Sequence, residues 1–303
     1  MGGDPAKGSW DGLGSAPLSF VRVAVVGAGT MGNGIAHVFA VGGAQVALID
    51  SSGAALEGAL ATIGRNLRRQ VAKGVLTAGE REAALGRIET ATELEAAGSA
   101  ELVVEAVPEV ESLKREIFAK LDGIAPPGTI LASNTSSISI TKIGAATSRP
   151  EQVVGMHFMN PVPVMKLVEV IRGLATADET VRLTSHLARA LGKVPVEVRD
   201  FPGFVSNRVL APMINEAIYA LMEGVADAES IDEVMRLGMN HPLGPLALAD
   251  LIGLDTCLHI IEVLHRELGD DRYRPCPLLR QYVAAGWLGR KSGRGFHSYG
   301  EDA

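Results

Sequence analysis

The stretch that most limits how this chain can fold runs from Val21 to Asp50. Val21-Arg-Val-Ala-Val-Val26 is an apolar, β-branched run of the kind that forms a strand buried on both faces. It leads directly into Gly27-Ala-Gly29-Thr30-Met31-Gly32, after which Ile35, Ala36, Val38, Phe39 and Ala40 recur with helical spacing. A second strand, Gln45 to Ile49, ends in Asp50. Strand, glycine loop, helix and a strand with an acidic end together form the fingerprint of a dinucleotide-binding unit. Gly27 suits the tight turn, Gly29 lets the backbone approach a pyrophosphate, and Gly32 brings helix close to strand. The helix N-terminus offers N–H groups to phosphates. Asp50 follows Gly27 by 23 positions. There it can hydrogen-bond an adenosine ribose and would repel a 2′-phosphate, so the expected cofactor is NAD rather than NADP.

A second stretch points to chemistry. The apolar run Val153 to Phe158 contains His157, a Pro-rich reversal Asn160-Pro161-Val162-Pro163 follows, and a β-branched run Lys166 to Ile171 carries Glu169. His157 and Glu169 lie six residues either side of Pro163. If the chain folds back there, the two side chains face each other. A carboxylate beside an imidazole orients the ring and stabilises its protonated form, as a general base near neutral pH requires. The plainer alternative is a core histidine beside a surface glutamate.

The totals narrow the class. The 303 residues allow two domains, and 47% apolar with 21% charged residues suits a packed globular protein. A net charge of −7 makes nucleic acid an unexpected partner. No apolar run approaches a bilayer span and residues 1–20 lack a signal pattern, so no membrane and a cytoplasmic location are expected. Cys257 and Cys276 have no C-x-x-C spacing and read as free thiols. No His/Cys cluster has metal-ligand spacing, so no metal is expected.

Residues 1–20 read as a flexible tail and 54–98 as helices. Arg65, Arg69 and Lys73 share a helix face with Arg68 beside them; the row either receives phosphates or is an ordinary solvated face. Glu101 to Glu109 is a buried strand running into a loop, and a helix follows from about Ser112 to Leu121. After a strand at Thr129–Ala132 come Ser133-Asn134-Thr135-Ser136-Ser137. Ser136 or Ser137 is expected to cap the next helix. A cap needs only one hydroxyl, and the surplus at a strand's end suggests ligand contacts. Strand-like runs stop near Gly203, and helical patterns alone follow. The expected architecture is α/β: a mostly parallel Rossmann-type sheet with helices on both faces over 21–201, then an all-α domain over 202–303. In the first helix of that domain Asn207 falls on an apolar side, where an amide needs a partner or a ligand.

Six motifs in order resemble the L-3-hydroxyacyl-CoA dehydrogenase family, particularly its short bacterial 3-hydroxybutyryl-CoA members. They are Gly27 to Gly32, Ser133 to Ser137, Met156 to Lys166, Pro202-Gly-Phe-Val-Ser-Asn-Arg208, Gly244-Pro-Leu-Ala-Leu-Ala-Asp250 and Gly289 to Phe296, and the likeness runs from Val21 to Tyr299. The resemblance implies NAD-dependent oxidation of the C3 hydroxyl of a short (S)-3-hydroxyacyl-CoA, and the reverse. It implies that His157 is the general base or acid, that Glu169 is its paired carboxylate, that Ser136 binds the reacting oxygen and that Asn207 helps to hold the substrate. On the cofactor side it implies Gly27, Gly29, Thr30, Met31, Gly32 and Asp50, with Glu109, Lys114, Asn134 and Asn160 near the ribose and nicotinamide. Asn66 and Lys73 fall where the family contacts coenzyme A, and a homodimer through the helical domain is implied. Met159 and His297 depart from the usual phenylalanine and tyrosine, which would affect the acyl pocket or local packing. Two other readings stand beside this one: the same chemistry on an acyl group carried by acyl carrier protein in a polyketide pathway, or a non-catalytic, crystallin-like binding protein.

Overall fold

The computed structural model describes residues 21–300, so the expected tail at 1–20 lies outside the described residues. The chain divides into two compact units at Asp200/Phe201.

In the first unit the elements alternate as the sequence leads one to expect. They are β1 (Arg22–Val26), α1 (Thr30–Val41), β2 (Gln45–Ile49), α2 (Gly53–Ala72), α3 (Ala78–Leu85), β3 (Ile88–Ala91), β4 (Leu102–Glu105), α4 (Glu111–Ile124), β5 (Ile130–Ser133), α5 (Ile140–Gly144), β6 (Val153–Phe158), β7 (Leu167–Arg172), α6 (Asp178–Ala190) and β8 (Val194–Arg199). The eight strands form one sheet in the order β3-β2-β1-β4-β5-β6-β7-β8. All pairings are parallel except β6 with β7. The order reverses between β1 and β4, which makes the C-terminal ends of these strands the natural ligand edge of such a sheet. Val23, Val25, Leu48 and Val104 pack with Ile35 and Phe39 of α1, Ile63 and Leu67 of α2, and Leu187 of α6. Alternate residues Ala24, Val26, Val103 and Leu131 are just as buried, so both sheet faces are covered.

One expectation needs correcting. Residues 54–98 are not all helical: β3 lies within them and pairs with β2. Ile88-Glu-Thr-Ala91 is a half-exposed edge strand, so it has no apolar run to announce it, and its neighbour supplies its hydrogen bonds.

The described residues of the second unit form α7 (Ser206–Met222), α8 (Ala228–Gly238), α9 (Pro245–Ile252), α10 (Leu254–Leu268) and α11 (Pro277–Ala284). Ile214 and Ile218, Leu246 and Ala249, Leu254 and Ile261, and Leu279 make its core. The last helix begins within Pro275-Cys276-Pro277, which hides its start from a reading by periodicity; Pro277 is its first residue, where a missing N–H costs nothing.

Candidate active site

The glycine loop is shaped by close approach. Gly27 has φ +104°, and a Cβ there would meet the Ala106 carbonyl oxygen at 2.6 Å. A Cβ on Gly32 would meet the Gly27 oxygen at 1.7 Å, so helix and turn touch through bare backbone. Above Gly29, by contrast, nothing lies within 4 Å of where a Cβ would be. Gly29 is the N-cap of α1, no side chain caps the helix, and its first turn carries no carboxylate. Uncapped N–H groups facing open space on a positive helix end suit a pyrophosphate, so the residues present fit a dinucleotide. Asp50 stands at the end of β2 as expected and also braces this loop. Its Oδ2 accepts from the Ala28 N–H at 2.8 Å and its Oδ1 from the Ser52 N–H at 2.9 Å.

His157 and Glu169 are register partners across β6 and β7. The imidazole Nδ1 and the Glu169 Oε2 are 2.8 Å apart, with His157 8% and Glu169 2% exposed. A carboxylate only accepts, so the Nδ1 proton belongs to this bond, and the ring is held in one orientation. The reversal between the strands is tied by the Val164 and Met165 N–H groups to the Pro161 carbonyl. Lys193 also holds it, donating to the Val162 and Met165 carbonyls at 2.5 and 2.7 Å. Burial pushes the Lys193 ammonium below its ordinary range. Asn160 is exposed at the start of this reversal, and Met159 is half-buried just before it.

The small polar run after β5 is consumed largely within the protein. Ser133 Oγ donates to Glu105 Oε2 at 2.6 Å, and the Asn134 Oδ1 accepts from the Phe158 N–H at 2.9 Å. Glu109 Oε1 accepts from Thr135 Oγ1 at 2.5 Å, from the Ser136 and Ser137 N–H groups at 2.9 and 3.0 Å, from Ser137 Oγ at 2.9 Å and from Ser136 Oγ at 3.3 Å. Burial raises the Glu109 carboxyl, but the Lys114 charge and these donors outweigh it and hold it below its ordinary value. Ser139, not Ser136 or Ser137, caps α5, accepting from the Lys142 N–H at 3.2 Å. Glu109 has claimed the earlier serines, and the cap falls to the next hydroxyl along. Lys114 is 1% exposed and donates to Glu105 Oε1 at 2.6 Å and to the Val107 carbonyl at 3.2 Å, with Glu109 Oε2 at 3.3 Å.

The structure thus brings together His157 with Glu169, Glu109 and Lys114 with Ser136, Asn134 with the backbone of Phe158, and Asp50 with the glycine loop. Among the described residues no hydrogen bond or ion pair ties Asn66 or Lys73 to these groups. Asn66 is half-buried on α2, and Lys73 is the exposed C-cap of that helix, in one row with exposed Arg65, Arg68 and Arg69. In the second unit Asn207 is half-buried in the first turn of α7. The fully enclosed amide of that helix is Asn215, which donates to the Arg274 carbonyl and accepts from the Cys276 N–H. The departure at His297 has a local reason: its Nε2 lies 2.7 Å from Asp232, while Asp250 accepts from the Phe296 and His297 N–H groups and the Tyr299 hydroxyl. Sequence reasoning missed Glu105, Lys193 and Asn215. The available signal for Glu105 was a lone carboxylate closing an otherwise apolar strand, Leu-Val-Val-Glu105.

Residues 22–201 match the family model described as 3-hydroxyacyl-CoA dehydrogenase, NAD binding domain, and 203–299 match the C-terminal domain of the same family. The "Probable 3-hydroxybutyryl-CoA dehydrogenase" of Bacillus subtilis is 60% identical over 284 residues, covering 94% of this chain and 99% of its own. The 3-hydroxybutyryl-CoA dehydrogenase of Bradyrhizobium diazoefficiens is 55% identical over 278 residues, covering 92% and 95%. The crystal structure of an (S)-3-hydroxybutyryl-CoA dehydrogenase from Ralstonia eutropha superposes with a TM-score of 0.90 at 52% identity, covering 92% of this chain and 99% of that one. A dinucleotide-binding sheet followed by a helical unit, matched by this family over both, makes the chain an NAD-dependent member of the 3-hydroxyacyl-CoA dehydrogenase family.

Proposed function

We propose that the chain interconverts a short (S)-3-hydroxyacyl-CoA and the corresponding 3-ketoacyl-CoA, with His157 as base in one direction and acid in the other. The observation that carries this reading is the buried 2.8 Å His157–Glu169 pair, one residue from the end of β6. That end lies on the same sheet edge as the glycine loop, because β1, β4, β5 and β6 run parallel. When bound, NAD accepts the hydride from C3. Hydride leaves readily only as the hydroxyl acquires alkoxide character, so a base must be aligned with that proton. With Nδ1 engaged by Glu169, the proton exchanged with substrate is carried at Nε2. Glu169 stabilises the imidazolium so formed. Ser136 hydrogen-bonds the reacting oxygen, and Asn207 contributes to holding the substrate.

On the cofactor side Gly27, Gly29, Thr30, Met31 and Gly32 receive the pyrophosphate and Asp50 the ribose, with Glu109, Lys114, Asn134 and Asn160 nearer the nicotinamide. Asn66 and Lys73 hold coenzyme A, which the exposed cationic row of α2 favours through phosphate attraction. A homodimer through the helical unit is supported by exposed apolar side chains such as Val209 on α7 and Leu237 on α8, which are 66% and 73% exposed. Two unlinked cysteines suit a reducing cytoplasm.

The test follows NADH absorbance with acetoacetyl-CoA, comparing wild type with His157→Gln and repeating with NADPH. Rapid NADH oxidation by wild type alone, with NADPH poor, is expected. A folded, NAD-binding protein that oxidises neither cofactor would overturn the CoA reading, and assay of the acyl-carrier-bound substrate would then separate the carrier reading from the non-catalytic one.

A further inference from the structure

Glu105 closes β4 and is 0% exposed, yet the proposed chemistry gives it no part. An ionised carboxylate is costly to bury, and a buried ion pair is often no more stable than an apolar pair of similar volume. Glu105 with Lys114 is therefore poorly explained as a source of stability. Its connections suggest another role. Glu105 Oε1 takes Lys114 Nζ at 2.6 Å and the Val107 N–H at 2.7 Å, and Oε2 takes Ser133 Oγ at 2.6 Å. One carboxylate thus joins the end of β4, the end of β5 and the first turns of α4. Lys114 donates to Glu105 and to the Val107 carbonyl, and its charge also pairs with Glu109 Oε2 at 3.3 Å. The other oxygen of Glu109 holds the backbone N–H groups of Ser136 and Ser137. The chain of contacts runs from a buried carboxylate, through an ammonium, to a second carboxylate and so to the serine that the proposed function assigns to the reacting oxygen.

We propose that Glu105 is a positioning residue for this site: through Lys114 it fixes Glu109, and through Glu109 it sets where Ser136 presents its hydroxyl. Lys114, enclosed and paired with both carboxylates, then bears on the cofactor site from behind Glu109. The inference rests on the functional reading above. Without the Glu105 charge the ammonium is drawn wholly onto Glu109, which shifts away from the serine N–H groups. The alignment of Ser136 depends on this charge, and misplacement of about an ångström at a reacting group costs up to about a hundredfold in rate.

The experiment measures steady-state NADH oxidation with acetoacetyl-CoA for wild type, Glu105→Gln and Ser133→Ala, with each kcat divided by the NADH-binding sites titrated by fluorescence. That division removes any loss of folded protein. Glu105→Gln is expected to lose about tenfold or more in kcat per site, with the KM for the thioester changed by less than about threefold. Ser133→Ala removes a hydroxyl donor to the same carboxylate, and the acceptor of the Thr135 N–H, but keeps the charge, and should stay within about threefold of wild type. A Glu105→Gln value per site near that of wild type, or an equal loss in Ser133→Ala, overturns the proposal. If Glu105→Gln does not fold, Glu105→Asp keeps the charge but draws it back by one methylene. It should lower kcat per site, and wild-type turnover in that variant overturns the proposal equally. Failure of wild type to turn over at all sinks the functional reading instead, so the two failures are distinguishable.

Discussion

Replacing Glu169 with glutamine removes one charge from the proposed catalytic pair and changes little else. The shape and one acceptor oxygen remain, but the negative charge is gone at a place where His157 and Glu169 are 8% and 2% exposed, too enclosed for water to substitute. A hydrogen bond to a charged group contributes about 1.5–3 kcal/mol. At about 1.36 kcal/mol per tenfold, that is a loss of roughly tenfold to a hundredfold in kcat/KM. If the amide nitrogen instead of its oxygen turns towards Nδ1, the ring tautomer reverses and the loss is larger still. The assay is NADH oxidation with acetoacetyl-CoA by wild type, both single variants and Glu169→Gln/His157→Gln. With Glu169 acting through the ring it holds at 2.8 Å, the double variant should lose no more than His157→Gln alone. A Glu169→Gln loss below about threefold, or losses that multiply in the double variant, would refute the reasoning.

Other outcomes follow from single contacts. Asn215→Ala strands the Arg274 carbonyl and the Cys276 N–H in the second unit, and should destabilise it by about 1–3 kcal/mol, read as a lower melting temperature with NADH affinity unchanged. Burial, then Asp255 and Asp250, push the Cys257 thiol up to about 12. A thiolate-selective reagent near pH 8 should therefore modify Cys257 only after unfolding, and fast labelling of the native protein would contradict this. Glu109 is held below its ordinary value of 4.5, so its contribution to stability is fully present above about that pH and is lost as pH falls through the lower folded value. The denaturation midpoint should accordingly drop on acidification below pH 4.5, and drop less in Glu109→Gln.

Much of this was legible in the chain because local pattern and tertiary use agree. The glycine loop announces itself since Gly27 and Gly32 leave no room for a Cβ, a constraint that only residue type can satisfy. The pairing of His157 with Glu169 followed from equal spacing about Pro163, because an antiparallel pair fixes opposite partners by distance from its turn. Less visible was anything whose partners lie far along the chain. The β3 edge strand takes its hydrogen bonds from β2 and shows no periodicity of its own. The serine run suggested spare ligand-binding groups, whereas Glu109, 26 to 28 positions earlier, takes up Thr135, Ser136 and Ser137. Glu105 and Lys193 were passed over for the same reason, since a charge inside an apolar stretch says that a partner exists without saying which one.

The single antiparallel pairing in the sheet has a further consequence. Partners only twelve positions apart close a short loop, so little chain entropy opposes their meeting, and they come together whenever the hairpin itself forms. The pair is inherited as one contiguous segment and does not wait for distant parts of the chain to assemble. It is also all-or-none with respect to length. A slip of one residue between β6 and β7 would turn Glu169 to the opposite face of the sheet, leaving a buried histidine and a misplaced carboxylate with no intermediate arrangement between them.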